Sequence, residues 1–203
     1  MSAFWNRLVG RPRDVAWTEA TFWALDLETS GLDARKDEIL AVGMLPIRQG
    51  SVRWNERFAS LVRPARTDGA LGDGLAAHHL LPGEVATGLR TDEALDQVLA
   101  RLADDVLLVH CAPVDVAFLR AACAACGRPW PSPAVVDTAA LLDQMAELEF
   151  PKPPPAAGLA AARARFGLPP TSEHDALADA LATAELFLVL RHHLRATTLR
   201  DLI

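Results

Sequence analysis

Apolar positions run almost unbroken through FWALDLETSG, starting at Phe22, and only Asp26 and Glu28 interrupt them before the chain turns polar. The pattern predicts a strand over 22–28, and because successive strand side chains alternate between faces, both acids share one face. Further strands are expected at 38–48 (EILAVGMLPIR) and 51–62 (SVRWNERFASLV), with RQG turning between them as a hairpin. Residues 64–74, rich in Gly, Asp and Arg, read as a loop. TDEALDQVLARLA carries apolar residues at helical spacing from Thr91, the capping candidate. DVLLVH, ending at His110, is a continuous apolar run of the kind that parallel sheets bury. A helix over 114–125, a short strand AVVD and a helix from Thr138 follow. FPKPPPAAG is a proline-rich break inside the domain, and DALADALATAELFLVLRHHL predicts a long last helix over about 175–194.

Three antiparallel strands, then β-α-β units and a closing helix, make one α/β domain with a mixed sheet flanked by helices. Its expected span is 21–195, with an N-terminal extension over 1–20 and a short tail over 196–203. A length of 203 residues suits one such domain, and 51 % hydrophobic residues exclude disorder. No apolar run approaches the ~20 residues that span a bilayer, and the first residues lack a signal-peptide core. No membrane partner is expected, and the expected location is cytoplasmic. Cys111, Cys123 and Cys126 make no disulfide framework, and CAAC, set in an alanine-rich apolar stretch, reads as buried thiols on a core helix. The net charge of −6 has the wrong sign for a simple phosphate-neutralising surface, unless bound cations change the balance. Lys36 and Lys152 are the only lysines among 20 basic residues and tyrosine is absent, a bias of coding more than of binding.

Two acids side by side near apolar neighbours repel each other and resist desolvation, so the chain needs a reason to keep them. Asp115 follows the apolar strand that ends at His110, at the carboxyl end where open α/β sheets bind ligands. Alone it would read as an acid favoured by a helix N-terminus. Asp179 lies in the first turns of the last helix, where alone it reads equally well as a solvated face. His174 precedes it by five positions, about 140° around a continuous helix, so the two converge only if His174 sits in the turn leading in. LPPTSEHD supports such a turn, with Thr171, Ser172 and Asp175 as capping candidates.

DxE in a strand, a later Asp after a strand and HxxxxD opening the terminal helix form an ordered set. In that set the chain resembles the histidine-bearing subgroup of the DEDD family of 3′–5′ exonucleases, most of all its epsilon-type proofreading branch. DLETSGLD is similar to the first motif, VHCAPVDVAFL to the second and HDALADALATA to the third; VVDT falls where members carry a comparable Asp-Thr. The likeness spans about residues 20–192. It implies a ribonuclease H-like fold and two divalent cations, Mg²⁺ or Mn²⁺, whose four positive charges offset the carboxylates. By position, Asp26, Glu28, Asp115 and Asp179 would be the metal ligands and His174 the general base. Thr29, with the backbone beside Gly31 and Leu32, would hold the terminal nucleotide, and His78 in AAHHLLPGE would be a substrate-side histidine.

The function expected on this resemblance is hydrolysis at the 3′ end of DNA, releasing nucleoside 5′-monophosphates in proofreading or repair. The alternatives are an exoribonuclease on single-stranded RNA ends and a non-catalytic nucleic-acid-binding module. Retention of all five motif residues favours an enzyme. Two departures stand out. The family often has Asn after the second-motif histidine, where this chain has Cys111. Epsilon-type subunits also carry a tail that docks onto the polymerase, whereas this chain ends soon after its last helix. QMAELEF, residues 144–150, is off by one from a sliding-clamp peptide and reads better as helix-end packing, so polymerase attachment stays open.

Overall fold

The computed structural model describes residues 14–65, 75, 78–148, 158–171 and 174–203. Most of the expected loop at 64–74, nearly all of the proline-rich break, Ser172, the end of QMAELEF and residues 1–13 of the expected extension lie outside them. β1 (Phe22–Thr29) is flanked by antiparallel β2 (Ile39–Arg48) on one side and by parallel β6 (Val106–Val109) on the other. The mixed sheet runs β5–β4–β2–β1–β6–β7, with β4 (Phe58–Arg63), β5 (Leu89–Arg90) and β7 (Val135–Asp137) completing it. The short β3 (Ser51–Val52) pairs with the end of β2. This is the expected architecture of three antiparallel strands followed by parallel ones. β5 was not expected, being two residues long in a stretch without alternation.

Alternation along β1 sorts the core into two layers. Phe22 and Ala24 face Ala184, Phe187 and Leu190 of α6 (Ala176–His193). Trp23 and Leu25 face Val98 and Leu102 of α2 (Thr91–Leu102) and Leu119 of α3 (Ala112–Ala125). Asp26 and Glu28 continue the α6 side. Around this frame lie α1 (Pro82–Val85), α4 (Thr138–Ala146) and α5 (Gly158–Arg165). Among the described residues, no helix is long and apolar enough to cross a membrane.

Two sequence expectations need correction. The strand expected over 51–62 breaks at the 3-10 turn Trp54–Glu56. Its partner β2 contains Pro46, which lacks an N–H, so the ladder skips that level and only Arg53 N–H reaches Pro46 O, at 2.8 Å. Thr91 is the first helical residue rather than the cap of α2. Arg90 takes the cap position, and its backbone N–H donates to Glu93 at 3.0 Å. The expected hairpin turn is present, with Gln49 and Gly50 both at positive φ (51° and 73°), the twist that suits a two-residue loop.

The first and last described segments meet. Ala16 bridges Thr198, Trp17 N–H donates to Thr197 O at 3.1 Å, and Trp17, Leu199 and Leu202 are buried beside Phe22 and Phe187. CAAC closes α3, with Cys123 buried, Cys126 half-buried at its C-cap and all three thiols free.

Candidate active site

β1 presents Asp26 and Glu28 on the face over which α6 begins, and their neighbours on β2 are Gly43 and Ala41. The pairing with Gly43 matters. A Cβ at Gly43 would collide with the backbone of Ala176 and Leu177, so only glycine lets the first turn of α6 settle onto the sheet beside Asp26. That turn carries Asp179. Asp175 caps it, accepting from Leu177 N–H and Ala178 N–H at 3.0 and 2.9 Å. Carboxylate oxygens of Asp26, Glu28 and Asp179 thereby come within 4.8 Å of one another. Gly43 was missed in the sequence, although a lone glycine inside the apolar run LAVGMLPI is a known sign of close backbone approach.

Gly43→Ala should destabilise the fold by about 1–3 kcal/mol, as overpacking does, and also lower any activity, because α6 must lift away with Asp179. Gly83→Ala is the control, since a Cβ there meets nothing within 4 Å; it should change stability by less than about 0.5 kcal/mol. Urea unfolding of both variants checks this.

Asp115 lies in the first turn of α3 and is buried. It is not in the tight group of three acids, but it is the strongest charged neighbour of Asp26. The start of α3 is held by Asp137 at the end of β7. Its carboxylate accepts from Cys111 N–H and Ala112 N–H at 2.9 and 2.8 Å, and from Ala139 N–H at 2.9 Å at the head of α4. Capping of the helix that follows it is a local feature of Asp137; capping of a second helix was not legible in the sequence, because it joins residues 26 positions apart. Cys111 adopts a left-handed φ of 74°, a conformation that Asn, expected there on the resemblance, enters more easily than Cys.

His174 does lie in the turn leading into α6, at a φ of 64°. Its backbone N–H donates to Asp179 Oδ2 at 3.0 Å, and its side chain is exposed. The ring stands edge-on to His78, with centroids 5.6 Å apart. His78 is thus brought into the site: Nδ1 is 2.5 Å from Glu28 Oε2, and Nε2 is 2.9 Å from Thr29 O. Burial, with His174 and His79 nearby, lowers the His78 pKa against the opposing bond to Thr29. Thr29 Oγ1 donates to Gly31 O at 2.7 Å, which shapes the turn after β1. Leu32, at the tip of that turn, is 84 % exposed.

The electrostatics are those of too many acids in too little water. Burial first, then Asp115, Glu28, Asp179 and Asp175, hold the Asp26 carboxyl well above the usual carboxylate range. Glu28 is pushed up to about 7 by burial and by Asp179 and Asp175. Asp115 is pushed up to about 7, chiefly by burial, against opposing backbone hydrogen bonds from its own amide and that of Leu27. Glu28 Oε1 is buried with no hydrogen-bond partner. An orphaned buried oxygen within an oxygen-only donor set fits hard divalent cations, which take carboxylates and water as ligands.

Comparison with known proteins places this arrangement in context. A family model described as Exonuclease matches residues 23–187. The DNA polymerase III PolC-type protein of Thermotoga maritima is 30 % identical over 177 residues, which are 86 % of this chain and 12 % of that protein. The DNA polymerase III subunit epsilon of Treponema pallidum is 32 % identical over 181 residues, covering 85 % of this chain and 77 % of that one. The chain therefore spans about an eighth of the PolC-type relatives and most of the epsilon subunit. In fold it resembles E. coli exonuclease I in complex with a dT13 oligonucleotide, with a TM-score of 0.74 at 15 % identity over 87 % of this chain and 42 % of that one.

Proposed function

Because this chain belongs to the exonuclease family, we propose that it is a two-metal-ion 3′–5′ exonuclease that removes nucleoside 5′-monophosphates from DNA in proofreading or repair. The observation that carries this reading is the convergence of Asp26, Glu28 and Asp179 within 4.8 Å, beside buried Asp115. Exonucleases of this kind use divalent metal ions. Here the carboxylates of Asp26, Glu28, Asp115 and Asp179 would hold them, Mg²⁺ or Mn²⁺. When bound, the ions would supply positive charge to offset the acids and Lewis acidity to lower the pKa of attacking water and steady the leaving 3′ oxygen.

The remaining work falls to the protein. His174, exposed on its turn, accepts the proton of the attacking water at an imidazole nitrogen; histidine is the side chain most often used as a general base. The Asp179 carboxylate, hydrogen bonded by the His174 backbone, ties the base to the ligand set. Thr29, Gly31 and the exposed Leu32 shape a lip at the carboxyl end of β1 on which a terminal nucleotide can rest. DNA is the favoured substrate because the epsilon subunit and PolC-type relatives are DNA polymerase III proteins. The same relatives support a replication or repair setting in the cytoplasm.

The test is cleavage of matched 5′-labelled DNA and RNA single strands in Mg²⁺ or Mn²⁺, with and without EDTA. A ladder shortening from the 3′ end of DNA, abolished by EDTA, is expected; undiminished cleavage in excess EDTA overturns the mechanism, and faster loss of RNA overturns the substrate. The roles of base and ligand separate in variants. His174→Ala should lower turnover by about 10²–10⁴-fold while leaving Mn²⁺ affinity largely intact. Asp179→Ala should weaken both. Calorimetric Mn²⁺ titration beside single-turnover cleavage measures the pair, and parental turnover in His174→Ala would remove it as the base.

A further inference from the structure

The turn that leads into α1 carries one more imidazole at the mouth of the site. Two of its residues point inward. His78 reaches Thr29 O and Glu28, and Leu80 packs against Leu40, Leu75 and Val85, its N–H donating to Leu75 O at 2.8 Å. His79, between them, is turned out and exposed. Its backbone takes a φ of 56°, a left-handed conformation that glycine adopts without steric cost and a side chain does not. The chain keeps an imidazole where glycine would fit better, and strain held beside a reacting centre points to use of the side chain. The ring is also placed rather than adrift. It stands edge-on to His174, with centroids 6.3 Å apart at 64°, while His78 meets the same ring from 5.6 Å at 69°.

The three rings are not equally occupied. Both nitrogens of His78 face partners, and His174 is the proposed base. The ring of His79 is uncommitted: among the described residues no hydrogen bond engages it. The charged groups that act on Asp26 and Glu28 are all acids. A phosphodiester entering here can face those acids only across bound cations, and its other non-bridging oxygen needs a donor from the histidine rim. We propose that His79 donates an imidazole N–H to that oxygen of the scissile phosphate. The spacing suits the contact. A base stands about 2.6–3.2 Å from the water it deprotonates, and that water about 3–3.5 Å from the atom it attacks. A ring 6.3 Å from His174 lies at the span of those two steps. This contact rests on the exonuclease reading and adds to it a residue that steadies the anion with a preplaced donor.

The experiment compares His79→Gly and His79→Asn in the full chain, on 5′-labelled single-stranded DNA in Mg²⁺. Loss of one hydrogen bond to a charged group should lower kcat/KM of His79→Gly by about tenfold to a hundredfold. Its urea midpoint should equal or exceed the parent's, because glycine relieves the left-handed φ. Asn also enters that conformation and keeps an N–H donor, so His79→Asn should recover part of the loss. Gln49→Gly, at a φ of 51° in the hairpin at the end of β2 remote from the site, should cleave as the parent does. Sulfur in place of one or the other non-bridging oxygen of the 3′-terminal phosphodiester separates contact from scaffold. The His79→Gly penalty should shrink for the diastereomer that leaves the cation-side oxygen intact. Parental cleavage by His79→Gly, a penalty that comes with a lower urea midpoint, or one undiminished for every diastereomer the parent cleaves overturns the contact. A parent chain inert on DNA in Mg²⁺ removes the exonuclease reading and the contact together, whereas an active parent with an equally active His79→Gly removes the contact alone.

Discussion

Asp26→Asn should make the metal-free protein more stable at neutral pH while lowering cleavage by roughly 10³-fold, the equivalent of about 4 kcal/mol of lost transition-state stabilisation. The two effects have one cause. Burial and four acidic neighbours all act to raise the Asp26 pKa, so the folded state without cations carries unrelieved repulsion. Asn keeps the shape and removes one charge. It also removes one of the four proposed metal ligands.

The same repulsion gives a pH dependence with a definite sign. Glu28 and Asp115 titrate near about 7 in the folded protein, against ordinary values of 4.5 and 3.8. Between those limits the folded state holds protons that the unfolded chain has released, so metal-free stability is fully present below about pH 4 and declines as pH rises through about 7. Saturating Mg²⁺ should remove the decline by replacing the protons, and Asp26→Asn should make it shallower. Urea midpoints at pH 5 and pH 8, in EDTA and in Mg²⁺, measure both; a metal-free Asp26→Asn protein less stable than the parent at pH 8 would contradict the account.

Arg163→Ala should cost about 2–5 kcal/mol, the usual penalty for truncating a large buried side chain. Arg163 is 2 % exposed, although its helix α5 lies near the surface. Its guanidinium donates to Ala182 O at 2.8 Å, to Pro169 O at 3.0 Å and to Glu185 Oε2 at 2.7 Å. Those acceptors tie α5 and the segment before His174 to the middle of α6. Losing them leaves a cavity and an unpaired Pro169 carbonyl, and it slackens the helix that carries Asp179. Arg163→Met refills the volume of the aliphatic stem and should recover part of the stability. Lys can reach one of the acceptors but lacks the planar fork that serves three. Parental stability in Arg163→Ala, measured by urea unfolding, would show that α5 is held by its apolar contacts alone.

What the sequence determined by itself was whatever repeats at short range. The DxE spacing put two acids on one face because a strand has a period of two. The apolar run before His110 implied a strand buried on both faces. The prolines before His174 implied a turn that sets it off the axis of α6, and Asp175 was legible as a cap. The order of the motifs was enough to suggest the family and the mixed sheet.

Tertiary structure alone decided what depends on groups far apart in the chain. Nothing local in AAARARFG separates Arg163, buried against α6, from Arg165; only docking of α5 does that. Gly43 is one glycine in an apolar run until α6 arrives on it and makes a side chain there impossible. Asp137 caps two helices because β6 and β7 end side by side. The third strand breaks because Pro46, on its partner, has no proton to share. The chemistry of His78 comes from Thr29 O on one nitrogen and Glu28 on the other, across 49 positions of sequence. Local pattern fixes which face a residue takes. The charge, burial and partners it meets there are set by the packing of distant segments.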